Sequence, residues 1–376
     1  MLNKILIFST EFKAIDFFLG DLINKLAADK IDISTFSNNH SNHPQNLKHS
    51  DHIINYNFMI TRKPNLIIDF FTFIKTFFII FKNKPNLILS ITPKAGFLIA
   101  LSKIFSKSIS IHFFTGQVWF TKKGFSRFIY KLCDKIICNL SDEILVDSNS
   151  QINFLISEGF PKNKLKLILN GSISGVNIDR FNFYSNHRDT FRNSNNLNNN
   201  NIVLLFLGRF NKDKGLNLLL NTFKSLQNKY PNLVLVLNGT DEENFIRNSK
   251  LNSMNNLIIL NHSITPEIVY SGCDIFCLPS YREGFGLSVV EASSCRLPVV
   301  ISDTYGLNDS IINNHTGLIF KSGNSNDLET KLQLLITDRN KRIVFGNNGR
   351  DFVIKKFNKK NVVDFLYHFI TNKLLF

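Results

Sequence analysis

Glu283 and Glu291 stand eight residues apart around a short loop, Glu283-Gly284-Phe285-Gly286-Leu287-Ser288. Before it, Asp274 to Leu278 reads as a buried strand; after it, Leu287 to Ser294 reads as a helix. A strand-end loop that opens a helix is where an α/β protein places a phosphate, because free N–H groups and the helix dipole point at it. A carboxylate accepts from two neighbouring hydroxyls, so this pair of acids suits a sugar and a ribose. Roughly seventy residues earlier, Leu207-Gly208-Arg209-Phe210-Asn211-Lys212-Asp213-Lys214-Gly215 also follows a buried strand and precedes a helix. Gly208 lets the backbone approach a ligand closely. Arg209 and Lys214 put two cations on one loop, suited to holding a diphosphate and to stabilising negative charge as it leaves.

The elements that must position these loops alternate. In the first half, strands read over Ile5–Phe8, Ile31–Phe36, Leu87–Ile91, Ile109–Phe114, Glu143–Val146 and Leu165–Leu169. Between them, helices read over Asp16–Ala28, Leu66–Phe81, Phe97–Phe105, Phe125–Cys138 and Ser148–Glu158. The Asn-rich stretch from 193 to 201 has no apolar period and reads as a linker. The pattern restarts at Ile202–Leu207 and runs through Leu216–Tyr230, Leu233–Leu237, Glu242–Lys250, Leu257–Leu260 and Thr265–Ser271 to the opening loop, and the tail from Leu328 is mostly helical. Such alternation predicts parallel sheets covered by helices on both faces. The expected domains are 1–180, a linker at 181–200, 201–350, and a helical tail at 351–376. Ligands should sit at the carboxyl ends of the strands, in a cleft between the two domains.

The two second-half loops, with Pro279-Ser280 before Glu283 and Ala292 after Glu291, resemble the retaining glycosyltransferases of family 4 over nearly the whole chain. That resemblance implies the GT-B fold: two doubly wound Rossmann-like domains facing across a cleft, with C-terminal helices crossing back to the first. In the first half, Thr92-Pro93-Lys94-Ala95-Gly96, Phe114-Thr115-Gly116-Gln117-Val118-Trp119, Asp147-Ser148, and Asn170 to Phe181 look like one bacterial subgroup. Those enzymes extend capsule, O-antigen or glycoprotein saccharides on a polyprenyl-diphosphate carrier, many from UDP-linked N-acetylated hexosamines. The resemblance assigns Arg209 and Lys214 to the donor diphosphate and Glu283 to the donor sugar. Gly208, Gly284 and the backbone of Phe285, Gly286 and Leu287, with Ser288, would cradle the nucleotide, and Glu291 would take both ribose hydroxyls. Lys94, His112, Thr115, Gly116 and Gln117 are candidates on the acceptor side. No Asp-x-Asp pair occurs, so neither metal nor other cofactor is expected. Two departures stand out. The stretch after the first strand, Ser9-Thr10-Glu11-Phe12-Lys13, lacks the family's glycines, and Phe114 stands where many members have histidine, with His112 two residues earlier.

The formal charge of +15 is uneven: residues 61–135 hold thirteen Lys or Arg against Asp69 and Asp134, a net of +11. Anionic lipid, a diphosphate substrate and nucleic acid are the acidic partners such a block suits, and a solvated Lys-rich face is the bland alternative. The aromatics follow no nucleic-acid module, so no nucleic acid is expected. Leu66 to Phe81, flanked by Arg62, Lys63, Lys82 and Lys84, reads equally as a buried helix or as one lying in a membrane interface. It is too short and too interrupted to span a bilayer. The short apolar run at the N-terminus reads as a strand, without a cleavage site. Five cysteines without a Cys-x-x-Cys pair suggest a reducing compartment, so the expected place is the cytoplasmic face of the membrane. The rival readings are a nucleotide-sugar epimerase or phosphorylase on the same fold, and a basic membrane- or nucleic-acid-binding protein without catalysis.

Overall fold

The computed structural model describes residues 3–38, 46–248, 251, 254–260 and 265–375. Met1, Leu2, Phe376 and the last two residues of the helix expected over Glu242–Lys250 lie outside them. The chain divides into two compact units, Met1–Gly175 with Lys360–Phe376, and Val176–Lys359.

The first unit runs β1 (Lys4–Glu11), α1 (Phe12–Ala28), β2 (Asp32–Asn38), β3 (Ile53–Asn57), α2 (Leu66–Asn83), β4 (Leu87–Ser90), α3 (Pro93–Ser102), β5 (Ile109–Phe114), α4 (Gly124–Leu140), β6 (Glu143–Val146), α5 (Asn149–Ser157) and β7 (Leu165–Leu167). Its strands form one parallel sheet in the order β3-β2-β1-β4-β5-β6-β7. The unbroken apolar run of β1 follows from burial on both faces. Ile5 and Ile7 join α1 in one core layer, while Leu6 and Phe8 join Ile80, Ala95 and Ile99 in the other.

The second unit runs α6 (Ser185–Ser194), β8 (Ile202–Leu207), α7 (Leu216–Lys229), β9 (Leu233–Asn238), α8 (Phe245–Asn248), β10 (Leu257–Leu260), α9 (Pro266–Gly272), β11 (Ile275–Leu278), α10 (Leu287–Ser294), β12 (Val299–Ser302), β13 (Gly317–Phe320), α11 (Ser325–Thr337) and α12 (Arg339–Phe357). Its parallel sheet has the order β10-β9-β8-β11-β12-β13. The last helix, α13 (Lys359–Leu374), returns to the first unit, where Val362, Leu366 and Ile370 enter the β1–α1 core layer.

Three expectations are revised, and one choice left open is decided. The stretch 181–200 is not a free linker: α6 lies within the second unit against α9, with Phe191 buried against the Gly272 backbone. Arg188 and Arg192 of α6 both bond Asp274, and Arg192 also caps the carbonyls of Asn198 and Asn201. Charge pairing anchors a helix that has almost no apolar face. The tail divides at 359/360 instead of 350/351, because α12 ends in the second unit's core and only α13 leaves it. No loop follows β1: of the stretch Ser9–Lys13, Ser9 to Glu11 still belong to the strand and Phe12 and Lys13 already to α1. Finally, α2 is not a buried helix. Its buried residues are Thr72, Thr76 and Ile80 alone, and its aromatic side faces outward.

Candidate active site

The chain leaves β8 for β9 on one side and comes back to β11 on the other, and β8 and β11 are hydrogen-bonded neighbours. At such a switch point the two crossovers diverge and leave room beyond the carboxyl ends of the strands. The Gly208–Gly215 loop leaves β8, and the Pro279–Gly286 loop leaves β11. That is why residues so far apart in sequence meet. Gly215 has a φ of +69°, and a Cβ there would stand 2.1 Å from the Pro279 carbonyl oxygen. Only glycine permits that approach. Tyr281 N donates to Asp213 O at 2.7 Å, and Arg282 donates from Nε and Nη2 to Asp213 Oδ2 at 2.9 and 2.8 Å. The two loops are therefore one rigid assembly.

Within it, Lys214 Nζ is ion-paired with Glu283, which also accepts from Ser280 Oγ at 3.1 Å. Both side chains of the pair are only 14% exposed, so their mutual attraction is weakly screened. The Ser280 carbonyl is held in turn by the hydroxyls of Ser302 and Thr304 from the end of β12. Arg209 does not join this pair. Its Nη1 lies 3.1 and 3.0 Å from the two oxygens of Glu242, which also accepts from Asn211 Nδ2 at 3.1 Å. Among the described residues no acceptor meets its Nε or Nη2. Gly284, Phe285 and Gly286 are buried, and Leu287 and Ser288 are half-buried. Gly286 caps α10 in the left-handed region; Val289 N donates back to the Gly286 carbonyl at 2.9 Å, and the N–H groups of Leu287 and Ser288 are left without an acceptor inside the helix.

Glu291, on α10, is buried, with one carboxylate oxygen 3.0 Å from the Tyr270 hydroxyl of α9. Burial pushes its pKa up to about 7, against the stabilising bond from Tyr270. The same burial, with the acid beside it, raises Tyr270 well above its ordinary value, so the phenol stays protonated and donates. Tyr270, Asp213, Arg282 and Glu242 carry no local signal of their own in the sequence. Asp213 sits inside the basic loop as an apparent spacer, and only Thr304, followed by Tyr305-Gly306 at a strand end, offers a local cue.

In the first unit the acceptor-side candidates separate into different situations. Lys94, in the first turn of α3, bonds Asp69 Oδ1 at 2.7 Å, Thr61 Oγ1 at 3.0 Å and the Lys63 carbonyl at 2.6 Å. It is a partnered cation that ties α3 to the start of α2. His112 is fully buried in β5, its Nδ1 2.8 Å from Ser90 Oγ, and burial lowers its pKa to about 3. A Cβ on Gly96 would meet that ring at 2.3 Å, so Gly96 makes room for the imidazole. Thr115 and Gly116 are half-buried at the end of β5, with Gly116 at φ +103°. Gln117 is buried and accepts from Gln151 Nε2 at 3.0 Å. Trp119 anchors this turn: it lies parallel to Phe160, donates to Asp134 at 2.7 Å, and carries Arg127 and Lys131 over its ring. Cys273 and Cys277 are buried free thiols whose pKa burial raises.

A family model for "Glycosyl transferases group 1" matches residues 187–352, the segment that contains both loops. A capsular polysaccharide biosynthesis glycosyltransferase of Staphylococcus aureus, CapM, is 30% identical over 320 residues, 84% of each chain. The chain belongs to the group 1 glycosyl transferases. Another relative, the N,N'-diacetylbacillosaminyl-diphospho-undecaprenol alpha-1,3-N-acetylgalactosaminyltransferase of Campylobacter jejuni, is 30% identical over 233 residues, 61% of this chain and 60% of that one. Among solved structures, sucrose-phosphate synthase from Thermosynechococcus elongatus superposes with a TM-score of 0.83 at 20% identity over 98% of both chains. Anabaena HepE in complex with UDP-glucose superposes with 0.80 at 19% identity, over 98% of this chain and 99% of that one. The fold is that of the GT-B glycosyltransferases.

Proposed function

We propose that this glycosyltransferase moves an N-acetylated hexosamine from a UDP-sugar to a polyprenyl-diphosphate-linked saccharide, with retention, in bacterial capsule or related glycan assembly. The observation that carries the donor half is the joined pair of loops at the β8/β11 switch point, with Lys214 held on Glu283 and Glu291 held by Tyr270. UDP-glucose in HepE, and the acceptor in the name of the Campylobacter relative, support the two substrate classes.

In this scheme the ribose hydroxyls donate to Glu291 and the diphosphate lies against the first turn of α10, Arg209 and Lys214. Glu283 accepts from the sugar hydroxyls. The C1–O bond to the β-phosphate breaks and its electron pair stays on the phosphate oxygen. Lys214, Arg209 and the α10 N–H groups stabilise that charge without a metal. The acceptor oxygen bonds C1 on the face the phosphate leaves, and its proton passes to the departing diphosphate oxygen. Thr115 and Gly116, at the end of β5, are the acceptor-side residues kept. Lys94 and His112 are assigned structural roles: one is fully partnered, and the other is a buried neutral imidazole.

Release of UDP from a panel of UDP-sugars, with and without polyprenyl-diphosphate saccharides, tests this. Release that requires both substrates supports it, and release without any acceptor, together with interconversion of the donor sugar, would favour the epimerase reading.

A further inference from the structure

Helix α2 is built inside out. With about 100° between successive residues, Thr72, Thr76 and Ile80 fall on one side and are its only buried residues. Thr72 satisfies itself on the carbonyls of Met59 and Ile68, and Thr76 on that of Thr72. On the opposite side Leu66, Ile67, Phe70, Phe71, Phe78 and Phe81 lie within an arc of about 140°, and all are exposed, from 60% to 88%. Helix α4 repeats the arrangement. Phe125, Phe128, Ile129 and Leu132 follow an i, i+3, i+4, i+7 pattern, yet they are exposed while Asp134, Ile137 and Cys138 are buried. Both helices pack on α3. The turn after α3 carries Phe105, 81% exposed, whose ring touches Phe77 of α2. One layer of the first unit thus presents a broad aromatic face, far beyond the scattered apolar residues of an ordinary surface.

The charges around it are basic. Lys63, Lys75, Lys82, Lys84, Lys107 and Lys123 are exposed and form no ion pair among the described residues. The acids of the same elements are spent: Asp69 pairs with Lys94, Asp142 with Lys103, and Asp134 is buried under Trp119. No helix of the described residues is long and apolar enough to cross a membrane. We propose that α2, the turn at Phe105 and α4 form a docking face for an anionic lipid bilayer, with the phenyl rings at acyl depth and the lysines among the headgroups. A second copy of the chain is disfavoured as occupant, because two such faces would bring like charges together. An aromatic and aliphatic face ringed by lysine matches a lipid interface. This inference does not depend on the donor or acceptor proposed above.

Sedimentation with vesicles tests it, using phosphatidylcholine alone and phosphatidylcholine mixed with phosphatidylglycerol, with no sugar present. The whole chain binds the mixed vesicles, binds the neutral ones more weakly, and is loosened but not freed by salt. Replacing Phe70, Phe71, Phe78 and Phe81 together by Ser lowers partitioning by more than about tenfold. A single probe guards against a folding defect in that variant: Phe78→Trp gains a blue shift and quenching by brominated lipid, over the constant background of buried Trp119. Absence of binding, equal binding by the four-Ser variant, emission from the Phe78→Trp chain that vesicles leave unchanged, or self-association through this face in place of vesicle binding would overturn the proposal.

Discussion

Substituting Gly215 by Ala tests whether the two loops act as one. The structure supplies both the magnitude and a control. At φ +69° an L-residue costs about 1 kcal/mol relative to glycine. The added Cβ would also stand 2.1 Å from the Pro279 oxygen, so that carbonyl must retreat by nearly an ångström to reach the closest approach real Cβ atoms make. Overpacking of this kind adds about 1–3 kcal/mol. Gly124 has a similar φ of +57°, and a Cβ there meets nothing within 4 Å. Gly124→Ala therefore measures the conformational cost alone, about 1 kcal/mol, against about 2–4 kcal/mol for Gly215→Ala. For a unit of this size each kcal/mol lowers Tm by about 2–4 °C. Because Pro279 leads to Ser280 and Glu283, the displaced carbonyl also moves Glu283 away from Lys214. An ångström of misplacement costs turnover about a hundredfold. Thermal unfolding and UDP-sugar turnover of the two variants decide the matter. Equal destabilisation by both, with Gly215→Ala as active as the parent chain, would refute the reasoning.

Lys214→Ala lowers turnover by about 10²–10³-fold, as expected for loss of a charge that meets the departing diphosphate, and steady-state kinetics reads it. Glu291 makes stability fall as pH rises: its carboxyl is held to about 7 when folded and to an ordinary 4.5 when unfolded, so up to about 3 kcal/mol present at pH 4 is lost between those values. Urea titrations of the parent chain and Glu291→Gln across pH 4–8 should diverge over that window, the Gln variant gaining relative stability as pH rises. UDP affinity runs the opposite way, weakening below about pH 7 as the acceptor carboxylate is protonated, and Tyr270→Phe moves that midpoint upward. Trp119→Phe destabilises the first unit by about 2–4 kcal/mol, because it leaves a gap against Phe160 and Asp134 without its donor, whereas Asp134→Asn, which keeps an acceptor, costs less than about 1 kcal/mol.

How far the sequence leads depends on whether the signal is local. Both loops of the candidate site are legible because each lies between a buried strand and a helix, and glycine marks the places of close approach. Alternation puts both loops at the carboxyl ends of parallel strands, but their meeting depends on the strand order, which sets β8 beside β11. The supports are illegible: Tyr270 and Glu242 matter through where the sheet order brings them, and Arg282 and Asp213, though inside the two loops, give no sign that they pair. Helix α6 hides for another reason. One buried phenylalanine among nine polar residues makes no period, and the helix's stability comes from Arg188 and Arg192 on Asp274 in β11's approach. In α4 the period is clear and misleads, since the i, i+3, i+4, i+7 stripe normally marks the core and here faces out. Composition masks this too, because a chain with 37 phenylalanines devalues each one. Only burial separates the rings that build the fold from those that stay exposed.

On the proposed function, the Gly208–Gly215 and Pro279–Glu291 loops bind the nucleotide of a UDP-sugar. Calorimetric titration of the whole chain with UDP tests it most directly, beside Glu291→Ala. Saturable binding by the parent chain is expected, with a loss of at least about tenfold in the variant, which removes the proposed acceptor of the ribose hydroxyls. Folded protein that gives no heat with UDP, or binds it equally well without Glu291, would contradict the account.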